Sequence, residues 1–282
     1  MVGFKAAMLS GGEVSLALSG LIDYGFNDLS ILEWVVSRIS ETTTLALAVD
    51  VDDGYGGPLA VYRMAKRLAR VGAQALQLED TGGLGEDRHL IPREQYYAKV
   101  AAAVDGLKGT DCILIARTDA DPATELDEAI KRCAKAVELG AEMTTVVRLS
   151  NLEDATYVAR NVPGWKMYPD VGATDGVPEV TVDQVYPLGF NYMTMHYTLK
   201  AAFDGMLEHG KKNFAQQGCL YTATKADATG IFGESATPLY DPDGFMELEA
   251  RFTGRSRPYK IGSHGMTAFP EGFVKTPIEE RL

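Results

Sequence analysis

Short apolar runs alternate along this chain with longer stretches of helical period. Seven runs read as strands, at 4–9, 45–50, 75–79, 112–117, 143–147, 165–168 and 192–195. Between them the spacing of apolar positions predicts amphipathic helices over 29–40, 60–71, 93–106, 123–139 and 151–161. Strands that are apolar almost throughout need cover on both faces, and a strand–helix alternation supplies it as a parallel sheet. The pattern therefore predicts an α/β fold of the (β/α)8 TIM-barrel type, short of its first β–α unit. Seven strand–helix units are present where a closed barrel has eight. A first unit missing from the N-terminus, a neighbouring subunit or the C-terminal region would account for the gap. The structural alternative is a doubly wound open sheet, but no GxGxxG follows the first strand and no P-loop occurs. From Cys219 onward Gly, Pro, Thr and Asp become frequent and strand runs stop, with one short helix at about 242–252. The expected division is a barrel over 1–218 and an extension over 219–282 that packs on the barrel or on a partner subunit.

Charge narrows the partners. Among 282 residues, 27 Lys and Arg stand against 39 Asp and Glu, a formal net charge of −12. Nucleic acids and anionic membrane surfaces would repel such a chain, so neither is expected as a partner. No apolar run approaches the roughly 18 residues of a membrane span, and the N-terminus lacks the pattern of a secretory signal. Cys112, Cys133 and Cys219 are too widely spaced for a disulfide framework or a zinc motif. A reducing cytoplasm is the expected compartment. The basic cluster Arg63, Lys66, Arg67 and Arg70 reads as the wet face of a helix.

Candidate chemistry gathers where strands end, at the face on which barrel enzymes build their sites. The second strand runs into Asp50-Val51-Asp52-Asp53-Gly54-Tyr55-Gly56-Gly57, and the third into Glu79-Asp80. In an extended strand Asp50 and Asp52 share a side, so both are expected to face the barrel mouth beside Glu79. Three converging carboxylates repel one another unless a divalent cation lies between them, and hard oxygen donors suit Mg²⁺ or Mn²⁺. Arg117, after four apolar residues, is either held by a buried carboxylate or aimed at an anionic substrate. Ser10-Gly11-Gly12 after the first strand offers backbone N–H groups to an anion. Tyr55 in the glycine-rich loop is a further candidate substrate contact. Asp23 gives a weaker signal, and His196, at the end of the last strand, stands where it would touch the site.

In combination, LSGG at 9–12, LIDYG at 21–25, VDVDDGYGG at 49–57, GAQALQLED at 72–80, LIARTDA at 114–120 and ELGAE at 138–142 resemble the isocitrate lyase/phosphoenolpyruvate mutase superfamily. The resemblance runs from about Phe4 to Gly210. It implies a (β/α)8 barrel whose last helix is exchanged between subunits, giving a homodimer or homotetramer. It also implies Mg²⁺ near Asp50, Asp52 and Glu79 with Asp23 close by, and a small carboxylic acid substrate. The acid's carboxylate would lie on Ser10, Gly11, Gly12 and Arg117, with chemistry passing through an enolate. The chain departs from the pattern where the lyases of the family carry a gate-loop cysteine. Here that stretch is 81–89, without cysteine. Val147 followed by Arg148 stands where those lyases place a Glu, and Met167 and Pro169 stand for an Asn/Thr pair. What is retained suits a decarboxylase of the oxaloacetate type, with His196 as the proton donor. The alternatives are a methylisocitrate or substituted-malate lyase with His89 replacing the cysteine, then a phosphonopyruvate mutase or hydrolase with Arg88 and His89 at the phosphonyl end, then a catalytically silent oligomeric barrel.

Overall fold

The computed structural model describes residues 3–83, 85–172, 179–225 and 242–254. The chain divides into two compact units between Tyr197 and Thr198; position 218/219 lies inside the second. The first unit runs β1 (Ala6–Leu9), α1 (Gly11–Ser19), α2 (Leu29–Ser40), β2 (Ala46–Asp50), α3 (Pro58–Arg70) and β3 (Ala75–Leu78). A small antiparallel hairpin follows, β4 (Thr81–Gly82) with β5 (His89–Leu90), then α4 (Arg93–Leu107), β6 (Ile113–Thr118), α5 (Pro122–Glu138) and β7 (Met143–Val146). The unit ends with α6 (Leu152–Asn161), β8 (Trp165–Tyr168), the single turn α7 (Val182–Val185) and β9 (Phe190–Met193). The second unit contains α8 (Thr198–Ala215), α9 (Leu220–Lys225) and α10 (Pro242–Thr253). No described helix is long and apolar enough to cross a membrane.

Seven strands form one curled, barrel-like parallel sheet in the order β1-β2-β3-β6-β7-β8-β9. Each strand lies beside its successor, whereas a doubly wound sheet places its first strand inside the order. The doubly wound alternative is therefore excluded, and the α/β barrel-type expectation holds with seven strands.

Both faces of the sheet are covered, as the unbroken apolar strands require. On the outer face Leu47, Val49, Leu76, Leu78, Leu114 and Ala116 pack with residues of α2, α3 and α4. A second outer cluster joins Cys133, Val146, Val158, Tyr168 and Phe190 beneath α5 and α6. Intervening positions point inward: Ala48, Ala75, Ile115, Met143 and Met167 form the interior floor. The helices follow their sequence pattern closely. Val61, Met64, Ala65 and Leu68 of α3 are fully buried, at i, i+3, i+4 and i+7, while Arg63, Lys66 and Arg70 face water. Arg67 turns to pair with Glu33 of α2. Asp28, Asp121 and Asn151 cap α2, α5 and α6 through their side chains. Gly106 lets α4 lie against α3, since a Cβ there would stand 2.7 Å from the Tyr62 carbonyl oxygen.

Candidate active site

The same two-residue alternation that builds the floor carries polar residues to the C-terminal ends of the strands. Two positions beyond Ala48 and Ile115, Asp50 and Arg117 sit on the inner side; four beyond Ala75 sits Glu79. Asp50 and Glu79 are buried. Arg117 stands between acids. Its Nε donates to Asp119 Oδ1 at 2.7 Å, its Nη2 reaches Asp119 Oδ2 at 3.1 Å and Glu79 Oε2 at 3.0 Å, and its Nη1 lies 3.6 Å from Asp50 Oδ2. The β4–β5 hairpin brings in a second guanidinium. Arg88 Nη2 contacts both Glu79 oxygens at 3.0 Å and Asp119 Oδ2 at 2.7 Å. Thr81 also donates its hydroxyl to Glu79.

Asp52 arrives by a different route from the one expected. The strand ends at Asp50, and Asp52 lies in the turn beyond it with φ of 48°, so alternation does not aim its side chain. The turn does so instead. Asp50 accepts the Asp52 N–H at 3.2 Å, and the Lys99 ammonium holds the Asp53 carbonyl at 2.7 Å and the Asp53 carboxylate at 3.1 Å. The Asp52 carboxylate comes to rest against the start of α1, where a Cβ on Gly11 would be 2.6 Å from Oδ1. Gly11→Ala meets only the end of a flexible side chain, so thermal unfolding should change little. Calorimetric titration with Mg²⁺ tests whether that carboxylate is a cation ligand: the variant is then expected to bind at least ~10-fold more weakly because the carboxylate is pushed away, and equal binding by variant and wild type would show that it is not.

The electrostatics are lopsided. Four acids, Asp50, Asp52, Glu79 and Asp119, face two guanidinium groups, so full ionisation would leave an excess of two negative charges. Burial raises the Asp50 carboxyl above its ordinary range, against the pull of Arg117 and the N–H groups of Asp52 and Gly11. Glu79 is raised for the same first reason, against Arg117. Burial, then repulsion from Asp50, Glu79 and Asp23, pushes Asp52 up to about 8. Asp119 goes the other way: burial opposes its charge, but bonds from Arg117 and Arg88 outweigh burial and hold it below the usual range. Behind it Asp80, fully buried, accepts from the Thr118 hydroxyl at 2.6 Å, the Asp119 N–H at 2.8 Å and Arg132 at 3.2 Å. Asp80 thereby fixes the backbone that presents Asp119.

A cavity of about 260 Å³ opens over these groups, with Asp23, Asn27, Asp52, Tyr55, Glu79 and Arg88 in its wall. Asp23 sits beside Gly12, and Tyr55 adopts φ of 61°. Ser10 caps α1, its hydroxyl accepting the Glu13 N–H at 3.4 Å, and the Gly11 N–H serves Asp50. The glycine pair thus opens a helix. Neither Arg117 nor His196 is in the cavity wall. His196 is more than half exposed, with Nε2 3.1 Å from Glu13. His89 is exposed, its Nδ1 2.7 Å from the Asp87 carbonyl oxygen. Arg148, with φ of 62°, donates to the Asp119 carbonyl at 2.8 Å. Met167, where an Asn was expected by resemblance, belongs to the apolar floor.

Sequence reasoning gave no role to Asp119 or Asn27. Asp119 carried a readable signal, standing two residues beyond Arg117. Asn27 carried none: its Nδ2 donates to the Gly11 carbonyl at 2.8 Å, and its buried Oδ1 has no hydrogen-bond partner among the described residues.

Among the described residues, no three of His, Cys, Asp and Glu stand close enough to cage a metal. Magnesium seldom needs such a cage, being held by one or two carboxylates with water and substrate completing its shell. The excess of acids over guanidinium groups, the hard oxygen donors and the unpartnered Asn27 Oδ1, suited to a proton of coordinated water, fit a hydrated divalent cation.

A curled parallel α/β sheet with an acidic, arginine-braced mouth defines the class: a barrel-type enzyme built to offset negative charge at its strand ends. A profile of the phosphoenolpyruvate phosphomutase family matches residues 1–212. The chain is 30% identical to the petal death protein of Dianthus caryophyllus over 89% of its own length and 79% of that protein. It is 30% identical to the 2-methylisocitrate lyase of Vibrio cholerae, over 75% and 74% of the two chains. It is also 30% identical to the oxaloacetate decarboxylase of Rhodopseudomonas palustris, over 83% and 85%. The solved structure of 2,3-dimethylmalate lyase superposes with a TM-score of 0.80 at 22% identity, covering 90% of this chain and 87% of that one. Phosphonopyruvate hydrolase in complex with oxalate and Mg²⁺ gives 0.75 at 22%, covering 89% and 87%. The chain belongs to the isocitrate lyase/phosphoenolpyruvate mutase superfamily and is an enzyme of the lyase class.

Proposed function

We propose that the protein is a Mg²⁺-dependent carbon–carbon lyase acting on a 2-oxo or 2-hydroxy dicarboxylic acid, and that its reaction is decarboxylation of the oxaloacetate type. The observation that carries this reading is four acids against two guanidinium groups beside the cavity, with Asp52, which has no cationic partner among the described residues, raised to about 8. Asp52 would hold the cation directly, since no cationic side chain pairs with it among the described residues. Asp50 and Glu79, already engaged by Arg117, would act through retained water, with Asp23 at the rim. Bound there, Mg²⁺ supplies Lewis acidity toward the 2-oxo group and its adjoining carboxylate.

The chain's own groups do the rest. Arg117 holds Asp119 ionised and draws Asp50 and Glu79 toward their charged forms against burial, and its Nη1, which makes no hydrogen bond to Asp50 at 3.6 Å, is the donor for a substrate carboxylate. Ser10, Gly11 and Gly12 at the start of α1 and Tyr55 in the opposite turn position the same end of the acid. His196, steadied by Glu13, delivers the proton to carbon after CO₂ departs. The stretch 81–89 without cysteine favours decarboxylation over cleavage of methylisocitrate or a substituted malate. That cleavage is the second reading, favoured by the lyase relatives; release of pyruvate with a second acid would identify it.

A cytoplasmic homodimer or homotetramer with an exchanged helix is the assembly that fits this reading. Its support is α8, which buries none of its residues and exposes Phe203, Met206 and Phe214. Residues 219–282 would pack on the barrel or on the partner.

Titration calorimetry with Mg²⁺ and then oxalate tests the site. Oxalate is expected to bind only with the metal present, and oxaloacetate to release CO₂ in the same buffer. A folded protein that binds neither would overturn the reading.

A further inference from the structure

We propose that Arg88 is the specificity-determining residue that receives the distal carboxylate of the substrate, so that the site selects diacids over monoacids. The inference rests on the reading above and extends it to the far end of the acid. Its ground is the composition of the cavity wall, where Asp23, Asp52, Asp53 and Glu79 are acidic and Arg88 is the one cation among the described residues. Arg117 lies beneath that wall, its Nε and Nη2 engaged by Asp119 and Glu79, and keeps only Nη1 for the metal end of the acid. An incoming dianion needs two positive centres. The metal end supplies one, and Arg88 is the other that faces the cavity.

The side chain is built for this. Only Nη2 is tied down, by Glu79 and Asp119, which fixes the guanidinium over the site. Nε and Nη1 have no partner among the described residues, and the side chain is 40% exposed. A planar fork anchored at one nitrogen keeps donors for a carboxylate, which a flexible ammonium at that place would not orient. The cavity, at about 260 Å³, equals roughly nine liquid-water volumes, enough for a four-carbon diacid. Arg88 also stands in the stretch that lacks cysteine. The hairpin there therefore contributes a binding group to the site.

The experiment compares two inert probes by calorimetry at saturating Mg²⁺: oxalate, which occupies only the metal end, and malate, which reaches both. In Arg88→Gln, malate affinity is expected to fall ten- to a hundredfold while oxalate changes less than threefold. Arg88→Lys should recover part of the loss. Malate binding unchanged in Arg88→Gln, or malate and oxalate weakened equally, would overturn the proposal, the latter because Arg88 would then only be bracing Glu79 and Asp119. A preference of the wild type for 3-phosphonopyruvate over malate, lost in Arg88→Gln, would also overturn it by making the distal group a phosphonate. Failure of the wild type to bind oxalate with Mg²⁺ is a separate outcome: it removes the underlying reading, and this inference with it.

Discussion

An Arg117→Met protein is expected to lose about 3–5 kcal/mol of stability at pH 8, the usual cost of stripping one partner from a buried ion pair. Turnover of the proposed 2-oxo acid substrate should fall by ~100-fold or more, as when a preorganised charge is removed from a reacting centre. Arg117 is mostly buried and faces Asp50, Glu79 and Asp119 at once; without it, Arg88 alone answers the cluster. The three carboxyls should then bind protons in the folded state at a pH where the unfolded chain has released them. The sign follows from linkage: a native state that holds more protons gains stability as pH falls. Urea unfolding should therefore show a large deficit at pH 8 that narrows toward pH 5. Arg117→Lys keeps the charge without the fork, so it should recover more stability than activity. A Met variant as stable as the wild type at pH 8 would mean that these acids are neutral in the native protein.

Most of the barrel could be read from the chain because its strands are buried on both sides. A run such as 45–49 has no polar residue to confuse with a helix, 75–79 alternates strictly with Gln77 and Glu79 on one side, and stripes such as Val61–Met64–Ala65–Leu68 have only one period. Helix α1 was not legible, since Gly11 and Gly12 lower helix propensity where it starts and Ser10-Gly-Gly reads equally as a turn. Helix α8 was missed for a related reason: Gly205 and Gly210 interrupt it, and none of its residues is buried. In the site, strand alternation was the ground for aiming Asp50 at the mouth beside Glu79, whereas for Arg117 the sequence left two partners open, a buried carboxylate or an anionic substrate. Alternation failed at Asp52, where the chain leaves the strand and a positive φ resets the direction. Arg88 and Asn27 reach the site from a hairpin and a loop, and loops carry no periodicity from which a facing direction can be derived.

The metal-free protein should become less stable as pH rises from about 4 to 8, and Mg²⁺ should remove most of that slope. Asp52 has an ordinary value near 3.8 and stands at about 8 in the folded chain. Above pH 8 both states are ionised and the repulsion among Asp52, Asp50 and Glu79 is borne in full. Below about pH 4 both are protonated and Asp52 contributes nothing. Between these limits the native state holds a proton that the unfolded chain has lost, so stability falls with rising pH, on the order of a few kcal/mol in all. Asp50 and Glu79 are shifted in the same direction and add to the slope. Asp119 is shifted downward, so its contribution is lost only below its ordinary value. Mg²⁺ competes with that proton and should stabilise strongly at pH 8 and weakly at pH 5; at a hundred times Kd the gain is about 2.7 kcal/mol. Asp52→Asn separates the two effects cleanly, because Asn accepts a left-handed backbone as readily as Asp does. Without metal it should be more stable than the wild type at pH 8 and indistinguishable near pH 4, and Mg²⁺ should no longer raise its melting temperature. If Asp52→Asn instead melts lower than the metal-free wild type at pH 8, the Asp52 carboxylate is satisfied by the protein itself and has no unmet need for a cation.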